Sequence, residues 1–593
     1  MPFDGVTISH LVRELNQELT GQRIDKIYQP ERDELTLVIK GKKGGSRLTI
    51  SANARWSRMY ISQERKENPA RPYSFCMLLR KHLEGSKILG FDQVGFDRIV
   101  VLRLEALNDL LEWQEKFLIC EFTGKNSNIV LIDPQTNLIL DGIKRYDHEV
   151  SRHREVQPGL PYIPPPTQDK LDPTDTDYAR FCETVWETKN SLTISNALFQ
   201  TFSGLSPATS REICIKSGVD HDLPVAECGE YELSRVFETT RSLSTGSLGE
   251  APTILIGKDG PVDYFAFTPP VSDQEVDRIV LDSLNQAMDF FYTAKMTRNR
   301  LDSLKTNLLR NLKTHLDKAY KKLFFQEGDL FQAHENEIYR VWGELLTAYA
   351  FQVKKGETSV SLPNFDGEGE TEIELVPYLG AVENAQKYFK QYAKSRKARE
   401  RLVDFIEENR KEIAYLESVV LALEKSETVE ETEDIIDELE EQHYMKHKSS
   451  RGKSKQIRSQ PRRFHSSAGM DIYVGKNNRQ NDLLTLKKSG KNDLWLHTQG
   501  FAGTHVIVDL PQSIKGIEDV PDEVLEEAAL LAAYYSRAKE AEKVAVDYTF
   551  RSNVRKPRGS RPGMVIYDNY WTINVNPADA RLERLLATLE SSS

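Results

Sequence analysis

Residues 471–510 have the sequence DIYVGKNNRQNDLLTLKKSGKNDLWLHTQGFAGTHVIVDL, in which short apolar runs alternate with side-chain amides, cations and histidines. The apolar and β-branched content predicts strands at 472–474, 494–496 and 505–508, with a loop after the first strand. Amide and ammonium groups on such a loop can donate hydrogen bonds to phosphates and base edges. A solvated turn beside buried histidines is the alternative. We expect a polymer-binding surface formed by Lys476, Asn477, Asn478, Gln480, Asn481, Trp495, His497 and His505.

Two further segments are rich in Lys and Arg and contain no acid, although the formal net charge of the chain is −11. Residues 446–463 hold eight cations, and we expect them to form a flexible tether. Because binding responds to the local potential more than to the total charge, both segments can neutralise phosphates. A solvated linker or turn is again the alternative. The cations of the second segment, 551–563, are Arg551, Arg555, Lys556, Arg558 and Arg561.

Composition excludes several classes of protein. With 593 residues, the chain is long enough for about three to five domains. Its apolar runs are too short for a membrane span, and the charged N-terminus is unlike a signal peptide, so we expect a cytoplasmic protein without a membrane contact. Five scattered cysteines support neither a disulfide framework nor a zinc site, and we expect no metal or cofactor.

The N-terminal half shows two recognisable patterns. Apolar residues alternate at 35–39 and 48–50 on either side of GKKGG, which predicts a β-hairpin in an α/β domain that ends near the prolines at 164–166. Farther along, Gly204, Leu205 and Ser206 separate two amphipathic helices. That arrangement fits a helix-hairpin-helix, whose glycine lets backbone amides approach a phosphate, and it fits an ordinary helical hairpin equally well.

Two apolar series with steps of three and four residues predict long helices. One runs from Leu301 to Leu323 and the other from Leu402 to Leu423, with Asn409 as a polar position in the second. We interpret them as an antiparallel coiled-coil arm that closes over a small subdomain at about 326–395, although ordinary core packing would give the same stripe. The last 130 or so residues are expected to form an α/β domain with a helix over 522–539.

Several longer motifs together resemble the NFACT family. They are MPFDG, FCMLLRKHLEG, GFDRIVVL and FTGKNSNIVLID in the N-terminal part, and VGKNNRQND, DLWLHTQGFAGTHVIV and VDYTFRSNVRKPRGSRPGMVIY near the C-terminus. The resemblance covers essentially the whole chain and implies a multidomain α+β fold. Its expected domains are a glycosylase-like α/β NFACT-N domain (1–170), a helix-hairpin-helix domain (171–278), a coiled-coil arm with its middle subdomain (279–442), a basic linker (443–465) and an α/β NFACT-R domain (466–593).

The resemblance also implies a function in ribosome quality control. Such a protein binds a large ribosomal subunit that is still blocked by peptidyl-tRNA, and it contacts ribosomal RNA. It brings in aminoacylated tRNA, in bacteria chiefly alanyl-tRNA, so that the stalled chain gains a C-terminal tail without mRNA. The protein itself needs no catalytic residue, because the ribosome forms the peptide bonds. We expect it to act as a monomer on the ribosome.

The same resemblance implies which residues contact tRNA. An Asp-Arg pair needed for tailing matches Asp97 and Arg98 in GFDRIV, and an early acid matches Asp4. A forked guanidinium suits a phosphate or base edge, and a carboxylate suits a ribose hydroxyl, although such a pair is more often a surface ion pair. Another motif near bound tRNA, in which Phe122 and Lys125 depart from the family pattern, contributes Glu121, Lys125, Ser127 and Asn128.

Two functions from other classes are alternatives. A glycosylase of the formamidopyrimidine type would use Pro2 as its nucleophile, but Phe3 stands where such enzymes carry a catalytic glutamate, and their four-cysteine zinc finger is absent from the sequence. A cell-surface fibronectin-binding adhesin would need a signal peptide and an anchor, and the sequence shows neither. We expect neither of these functions.

Overall fold

The computed structural model describes residues 3–41, 44–107, 112–149, 154–166, 169–246, 251–258, 260–270, 276–446 and 459–589. The chain forms two compact units, residues 1–297 and 298–593. It is a mixed α+β protein with antiparallel sheets and two long helices. Within the described ranges, every helix is too short or too polar to cross a lipid bilayer.

The first unit contains an N-terminal sheet, a group of helices and a small second sheet. Its elements are α1 (Gly5–Leu19), β1 (Arg23–Glu31), β2 (Glu34–Gly41), β3 (Gly44–Ser51), β4 (Arg58–Ile61), α2 (Ser74–Leu83), β5 (Lys87–Gln93), β6 (Ile99–Leu107), β7 (Trp113–Glu121), β8 (Asn128–Asp133), β9 (Leu138–Gly142), α3 (Tyr178–Trp186), α4 (Ile194–Thr201), α5 (Pro207–Ser217), α6 (Glu230–Thr245), β10 (Thr253–Gly257), β11 (Gly260–Phe265) and β12 (Asp277–Val280).

Nine antiparallel strands form the large sheet, in the order β4-β3-β2-β1-β5-β6-β7-β8-β9. The predicted hairpin is confirmed, because β2 pairs with β3 and Leu37 lies opposite Leu48. Both leucines are fully buried, as the alternating pattern requires. The apolar faces of α1 and α2 pack on this sheet through residues such as Leu15 and Leu79, which closes the first core.

The helices α3 to α6 form a second core beside the small sheet β11-β10-β12. The two helices predicted around Gly204 are confirmed as α4 and α5. Ser206 begins α5 as its N-cap, where its side chain accepts a hydrogen bond from the Thr209 amide, and Pro207 occupies the first helical position. Phe96, from the turn between β5 and β6, is buried in this core and ties that turn to the helices.

The second unit contains the long helices, the C-terminal domain and a small middle layer, which is formed by one short helix and one β-hairpin within residues 338–374. The helix α7 (Leu284–Glu335) begins in the first unit and continues into the second. The remaining elements are α8 (Ile338–Ala348), β13 (Ser359–Pro363), β14 (Glu370–Glu374), α9 (Ala381–Lys425), α10 (Val429–Glu441), β15 (Arg462–His465), β16 (Asp471–Val474), α11 (Asn478–Leu483), β17 (Leu494–Thr498), β18 (Val506–Val508), α12 (Asp522–Tyr534), β19 (Val544–Phe550), β20 (Val554–Arg555), β21 (Ile566–Tyr567), β22 (Trp571–Val575) and α13 (Arg581–Leu586).

The helices α7 and α9 pack against each other in antiparallel directions. Arg410 of α9 bonds Glu327 of α7 (2.7 Å), whereas Asn336, just after the end of α7, bonds Ser395, an earlier residue of α9 (3.2 Å). Asn409 is buried in the seam, where its Nδ2 donates to the Ala319 carbonyl (3.0 Å). A buried amide of this kind fixes the register of two packed helices. Near the start of α9, residues such as Tyr388 pack with α8 and the hairpin β13-β14 in a small separate core.

The C-terminal domain is a six-stranded antiparallel sheet, in the order β15-β16-β18-β17-β19-β22, covered on one face by α12. The three strands predicted within 471–510 are confirmed. The helix predicted over 522–539 is shorter, because the Ser536 hydroxyl bonds the Ala533 carbonyl (2.7 Å) and the Ala538 amide (3.1 Å) and ends it. The predicted tether lies largely outside the described residues, and its end forms β15.

Candidate RNA-binding sites

A tight turn between β5 and β6 carries Asp97 and Arg98. The turn needs a left-handed residue, which Gly95 supplies with φ of 55°, and the Asp97 amide donates to the Val94 carbonyl (3.2 Å). The Asp97 carboxylate accepts from the Arg98 amide (2.7 Å). Both side chains are half-buried, and neither has an oppositely charged partner within 4 Å among the residues described. The backbone is therefore fixed, while the charged groups are available for a ligand.

Three distant segments meet behind this turn. The Gly5 amide donates to the Gly204 carbonyl (2.6 Å), and a Cβ on Gly5 would lie 2.5 Å from the Phe96 carbonyl oxygen. The Gln93 side chain donates to the carbonyls of Gly5 (3.1 Å) and Asp97 (3.0 Å). The start of α1, the turn at 94–98 and the connection between α4 and α5 thus hold one another in place, which explains why MPFDG, GFDR and the Gly204 turn occur together.

Lys170 is a third charged residue at this site. Its ammonium donates to the Phe199 carbonyl (2.6 Å) and lies 4.5 Å from the centre of the Phe199 ring. Burial lowers the pKa of Lys170, the positive charge of Arg98 lowers it further, and Asp97 acts in the opposite direction. A second carboxylate also lies at this turn, because Asp172 Oδ2 is 3.5 Å from where a Cβ on Gly95 would be. Two cations and two carboxylates can accommodate a phosphate and a neighbouring hydroxyl. Sequence reasoning missed Lys170, because TQDKLDP has no motif that links it to GFDR.

The structure corrects the role expected for Asp4. The side chain is 3% exposed and caps α1, where Oδ1 accepts from the Thr7 amide (3.0 Å). Its Oδ2 accepts from the Ser206 amide (3.2 Å) and the Thr209 hydroxyl. Asp4 is therefore a buried residue that joins the start of α1 to the start of α5, and it is not a tRNA contact. Because the Ser206 amide donates to Asp4, this amide of the α4–α5 connection is not available to a phosphate.

Glu121, Ser127 and Asn128 are also buried, so the expectation that they contact tRNA is wrong. Glu121 is fully buried and accepts from Arg154 (2.7 Å) and from the Tyr162 hydroxyl (2.8 Å). Asn128 bonds the backbone 16 residues farther along the chain, and Ser127 has no exposed surface. Glu121 and Asn128 are thus bonded within the protein, as buried polar groups normally are, whereas the buried Ser127 hydroxyl has no partner among the described residues.

Lys125 differs from its neighbours because it is exposed. It lies on the short 3₁₀ turn Gly124–Asn126, where Gly124 has φ of 74°. Its contact with tRNA stays a prediction. Close by, Phe3 is 3% exposed and packs edge-on against Phe122 at 4.9 Å, so the residue that replaces a glycosylase's glutamate belongs to the core. Pro2, the residue considered as a nucleophile, lies outside the described residues.

The amides expected on an exposed loop are instead buried at the start of α11. Asn477 caps this helix by accepting from the Gln480 amide (2.9 Å). The Gln480 side chain donates to the Ser459 carbonyl (2.8 Å), and its oxygen accepts from the Lys476 amide (3.0 Å). We call Asn477, Asn478, Gln480 and Asn481 the amide cluster, and each member is at most 5% exposed.

The other two members of the amide cluster connect separate parts of the second unit. Asn478 donates to Ser418 on α9 (2.9 Å) and Glu438 on α10 (3.1 Å). Asn481 accepts from the Thr504 hydroxyl (3.0 Å) and the His505 amide (3.2 Å). The expectation of an RNA-binding loop is therefore wrong for the cluster, because its hydrogen-bonding groups hold the C-terminal domain to the end of the long helices.

The aromatic residues of this region are mostly core residues. Trp495 is 1% exposed and His505 2% exposed, so neither can contact RNA as we expected. His505 bonds the Thr485 hydroxyl (2.8 Å), and burial lowers its pKa to about 3. His497 stacks on Trp495 with ring centres 5.9 Å apart and keeps partial exposure. Contact between His497 and RNA stays a prediction.

The cations of 551–563 divide into two groups. Arg551 donates to the carbonyls of Thr485 and Leu486, Lys556 pairs with Asp482, and Arg561 bonds the Tyr444 hydroxyl, so these three residues anchor the segment. Arg555 and Arg558 point outwards. Arg555 pairs with Asp568 (2.5 Å) but is 68% exposed, and Arg558 has no ion pair with any residue that the structure describes.

Three lysines extend this exposed basic surface. Lys487, Lys488 and Lys491 are exposed, and the Lys491 carbonyl accepts from the Ser552 amide (3.0 Å), which brings their segment beside residues 551–563. The run LKKSGK, residues 486–491, is the sequence signal that predicts these exposed lysines. We call Lys487, Lys488, Lys491, Arg555 and Arg558 the exposed basic surface.

One group of side chains has the spacing of a metal site. Asp220, His221 and Asp222 lie close enough to share an ion, but they are consecutive and largely exposed, and His221 is within 3.0 Å of the Asp222 carboxylate. Such acidic turns are common on protein surfaces, so this arrangement supports no metal-dependent chemistry.

Comparison with known proteins identifies the family. Residues 4–458 match the NFACT N-terminal and middle domains, and residues 460–568 match the NFACT protein RNA binding domain. A Bacillus subtilis (strain 168) protein named Rqc2 homolog RqcH is 32% identical over 584 residues, which cover 97% of this chain and 98% of that protein. A Saccharomyces cerevisiae protein named Ribosome quality control complex subunit 2 is 29% identical over 129 residues, 22% of this chain and 12% of that one.

Among solved structures, the fibrinogen binding protein from Staphylococcus aureus is 27% identical and covers 49% of this chain and 99% of its own. Its TM-score of 0.42 is too low to support an argument. The two family matches together span the chain from residue 4 to residue 568, in the order that the motifs indicated. The chain therefore belongs to the NFACT family, as a relative of the Rqc2 homologues along nearly its full length.

Proposed function

We propose that this NFACT protein is a ribosome quality-control factor. It binds large ribosomal subunits that are obstructed by peptidyl-tRNA and recruits alanyl-tRNA for mRNA-independent tailing of the stalled chain. The observation that carries the proposal is the similarity to a Rqc2 homologue over 97% of this chain, together with a matching RNA-binding domain. The adhesin and glycosylase alternatives have no comparable support.

The tRNA-binding site in this proposal is the turn at 94–98. Asp97, Arg98 and Lys170 supply two cations and one carboxylate on a backbone that is fixed from three sides. Lys125 is an additional contact. The charges suit the phosphates and ribose hydroxyls of a folded RNA, and the rigid backbone lowers the cost of ordering them on binding.

The ribosomal contacts are assigned to the second unit. The exposed basic surface attracts ribosomal RNA, and the long helices with their middle layer provide a further contact. The amide cluster supports this surface from behind, because it holds the C-terminal domain to α9 and α10. His497, at the end of β17, adds an aromatic contact.

The domains proposed from the sequence have distinct roles in this function. The segment 171–278 is a helix-hairpin-helix domain whose connection between α4 and α5 supports the turn at 94–98 instead of binding phosphate through the Ser206 amide. The sheet of the first unit is a glycosylase-like domain without glycosylase activity. The protein works as a monomer in the cytoplasm, where ribosomes are, and the ribosome forms the peptide bonds.

Sequencing the RNA that co-purifies with the tagged full-length chain tests this function. We expect large-subunit ribosomal RNA and one strongly enriched tRNA, with little small-subunit RNA. A sample with both ribosomal subunits in equal amounts and no enriched tRNA would overturn the proposal. As a control, an unrelated tagged protein of similar net charge should recover neither RNA, because net charge alone does not select a subunit.

A further inference from the structure

A pocket lies where α9 ends against the C-terminal sheet. It is lined by the last two turns of α9, the start of β15, the segment between β16 and α11, the residues before β18, and Tyr535. The pocket is open to solvent, and the space within it that the centre of a water molecule can occupy is about 20 Å³. Its charged lining residues are Lys425, Arg462 and Lys476, and no described lining residue is an acid.

The carboxylates nearest the pocket lie outside its lining. Glu431 acts on Lys476 and on Arg462. Glu427 and Glu540 act on Lys425. Lys476 pairs with Glu431 (2.6 Å), and both side chains are largely buried. Lys425 and Arg462 have no carboxylate within 4 Å in the part of the chain that the structure describes. Arg462 is buried and Lys425 is half-buried. Because a buried cation is costly without a partner for its charge, these two cations at one pocket indicate a site for an anion.

Arg462 is the better buried of the two cations. It is 6% exposed, and its guanidinium lies 4.8 Å from the centre of the Tyr535 ring. One terminal nitrogen donates to the Lys425 carbonyl (3.2 Å). A guanidinium has five N–H donors in a planar fork, so this single bond leaves most of them without a protein acceptor. A phosphate would accept from such a fork with two oxygens at once.

Lys425 approaches the same pocket from α9. Its ammonium donates to the Tyr534 carbonyl (3.3 Å) and lies over the rings of Tyr534 (4.5 Å) and Tyr535 (5.6 Å). Burial lowers the pKa of Lys425, and the positive charges of Lys539 and Arg462 lower it further, while Glu427 and Glu540 act in the opposite direction. The two pocket cations therefore repel each other, and an anion between them would convert that repulsion into attraction for both.

We propose that this pocket binds a backbone phosphate of RNA between Lys425 and Arg462. The proposal rests on the RNA-binding function proposed above and assigns one of its contacts to a defined pair of residues. Lys425 belongs to a long helix and Arg462 to the C-terminal sheet, so the phosphate would bridge these two parts of the second unit. Free phosphate has the same chemistry, and the test below separates it from RNA.

A purely structural role is the competing explanation. Lysine at the end of a helix is stabilised by the helix dipole, and Arg462 donates to the last residue of α9. That role would need neither a pocket nor two unpaired cations facing each other. It also predicts that removing Lys425 changes stability to the same extent in phosphate and in chloride, whereas a phosphate site predicts a loss that is specific to phosphate.

The test uses the full-length chain and two probes, inorganic phosphate alone and a fluorescein-labelled oligouridylate. Thermal unfolding is measured in phosphate and in chloride at equal ionic strength, and oligouridylate binding is measured in chloride. The variants are Lys425→Gln, Lys425→Arg and Arg462→Lys, with Lys515→Gln as the matched control, because Lys515 is an exposed lysine of the same domain outside the pocket. Phosphate stabilises many proteins without binding, so only differences between variants count.

We expect the stabilisation specific to phosphate to be lost in Lys425→Gln and in Arg462→Lys and retained in Lys425→Arg and the control. Oligouridylate affinity should fall about tenfold in the first two variants, the size of one charge-assisted contact.

If the phosphate effect disappears while oligouridylate binding is unchanged, RNA is not the ligand and the proposal is overturned in favour of free phosphate. If Lys425→Gln behaves like the control with both probes, the site does not exist. Wild-type sedimentation with large subunits is measured separately, since its failure would contradict the proposed function and not the pocket.

Discussion

Gly204 and Phe96 approach each other so closely that a Cβ on Gly204 would lie 2.0 Å from the Phe96 carbonyl oxygen. Gly204 also adopts a φ of 71°, which side chains with a Cβ rarely tolerate. The contact joins the connection between α4 and α5 to the turn that carries Asp97 and Arg98. The charged pair is therefore positioned by a glycine more than a hundred residues away in the sequence.

Replacing this glycine should destabilise the first unit. Gly204→Ala is expected to lower the free energy of unfolding by about 2–4 kcal/mol, because a backbone clash adds to the left-handed strain. Gly159→Ala is the matched control, since Gly159 has φ of 85° and a Cβ there would meet no described atom within 4 Å, so the strain alone should cost about 1–2 kcal/mol. Urea unfolding of both variants measures the difference. Equal losses would contradict the close contact.

Lys170 should act together with Arg98. Lys170→Gln is expected to weaken tRNA binding by about tenfold, the size of one charge-assisted contact, while Lys170→Arg retains most of the affinity. Lys189→Gln removes an exposed lysine elsewhere in the same unit and should have little effect. Filter binding of labelled tRNA to the full-length chain provides the measurement. Wild-type affinity in Lys170→Gln would remove Lys170 from the site.

The exposed basic surface should determine how ribosome binding depends on salt. Changing Arg555 and Arg558 to Gln is expected to flatten the logarithmic salt dependence by up to about 0.9 per phosphate contact, because fewer counterions are released. The control is the double change of Lys515 and Lys543 to Gln, which removes equal charge from exposed positions of the same domain. Sedimentation with large subunits is followed across a salt series. If the salt dependence has the same slope in the Arg555, Arg558 variant and in the control, this surface does not contact ribosomal phosphates.

The sequence predicted helices and strands better than it predicted which side chains are exposed and able to contact a ligand. The hairpin at 34–51 follows from alternation, and the strands in 471–510 follow from their apolar and β-branched content, both of which are local properties of the sequence. The burial of Asn478 depends on Ser418 and Glu438, which come from two helices far away in the chain, and no local pattern contains that information. Lys170 was missed for the same reason, whereas the family resemblance led directly to Asp97 and Arg98.

Stability of the C-terminal domain should fall as the solution is acidified. An unfolded histidine binds a proton near pH 6.5, whereas burial lowers the pKa of folded His505 to about 3. Between these values unfolding takes up a proton, so the free energy of unfolding decreases as pH falls, by up to about 1.4 kcal/mol per pH unit. Burial lowers the pKa of His497 as well, so it contributes in the same direction. His505→Gln should reduce the slope measured by urea unfolding, and an unchanged slope would contradict the assignment.

The central claim is that Asp97 and Arg98 select tRNA on the large subunit. Its most direct measurement is the tRNA recovered with large subunits bound to the full-length chain, compared between the wild type and the double change Asp97→Ala, Arg98→Ala. The matched control replaces Asp92 and Arg103, an exposed pair 2.5 Å apart on the same hairpin, by Ala. We predict that the first variant retains subunit binding but loses tRNA enrichment by about tenfold or more, as expected for two lost polar contacts, while the control behaves like the wild type. Wild-type enrichment of the same tRNA by the Asp97, Arg98 variant would contradict the account.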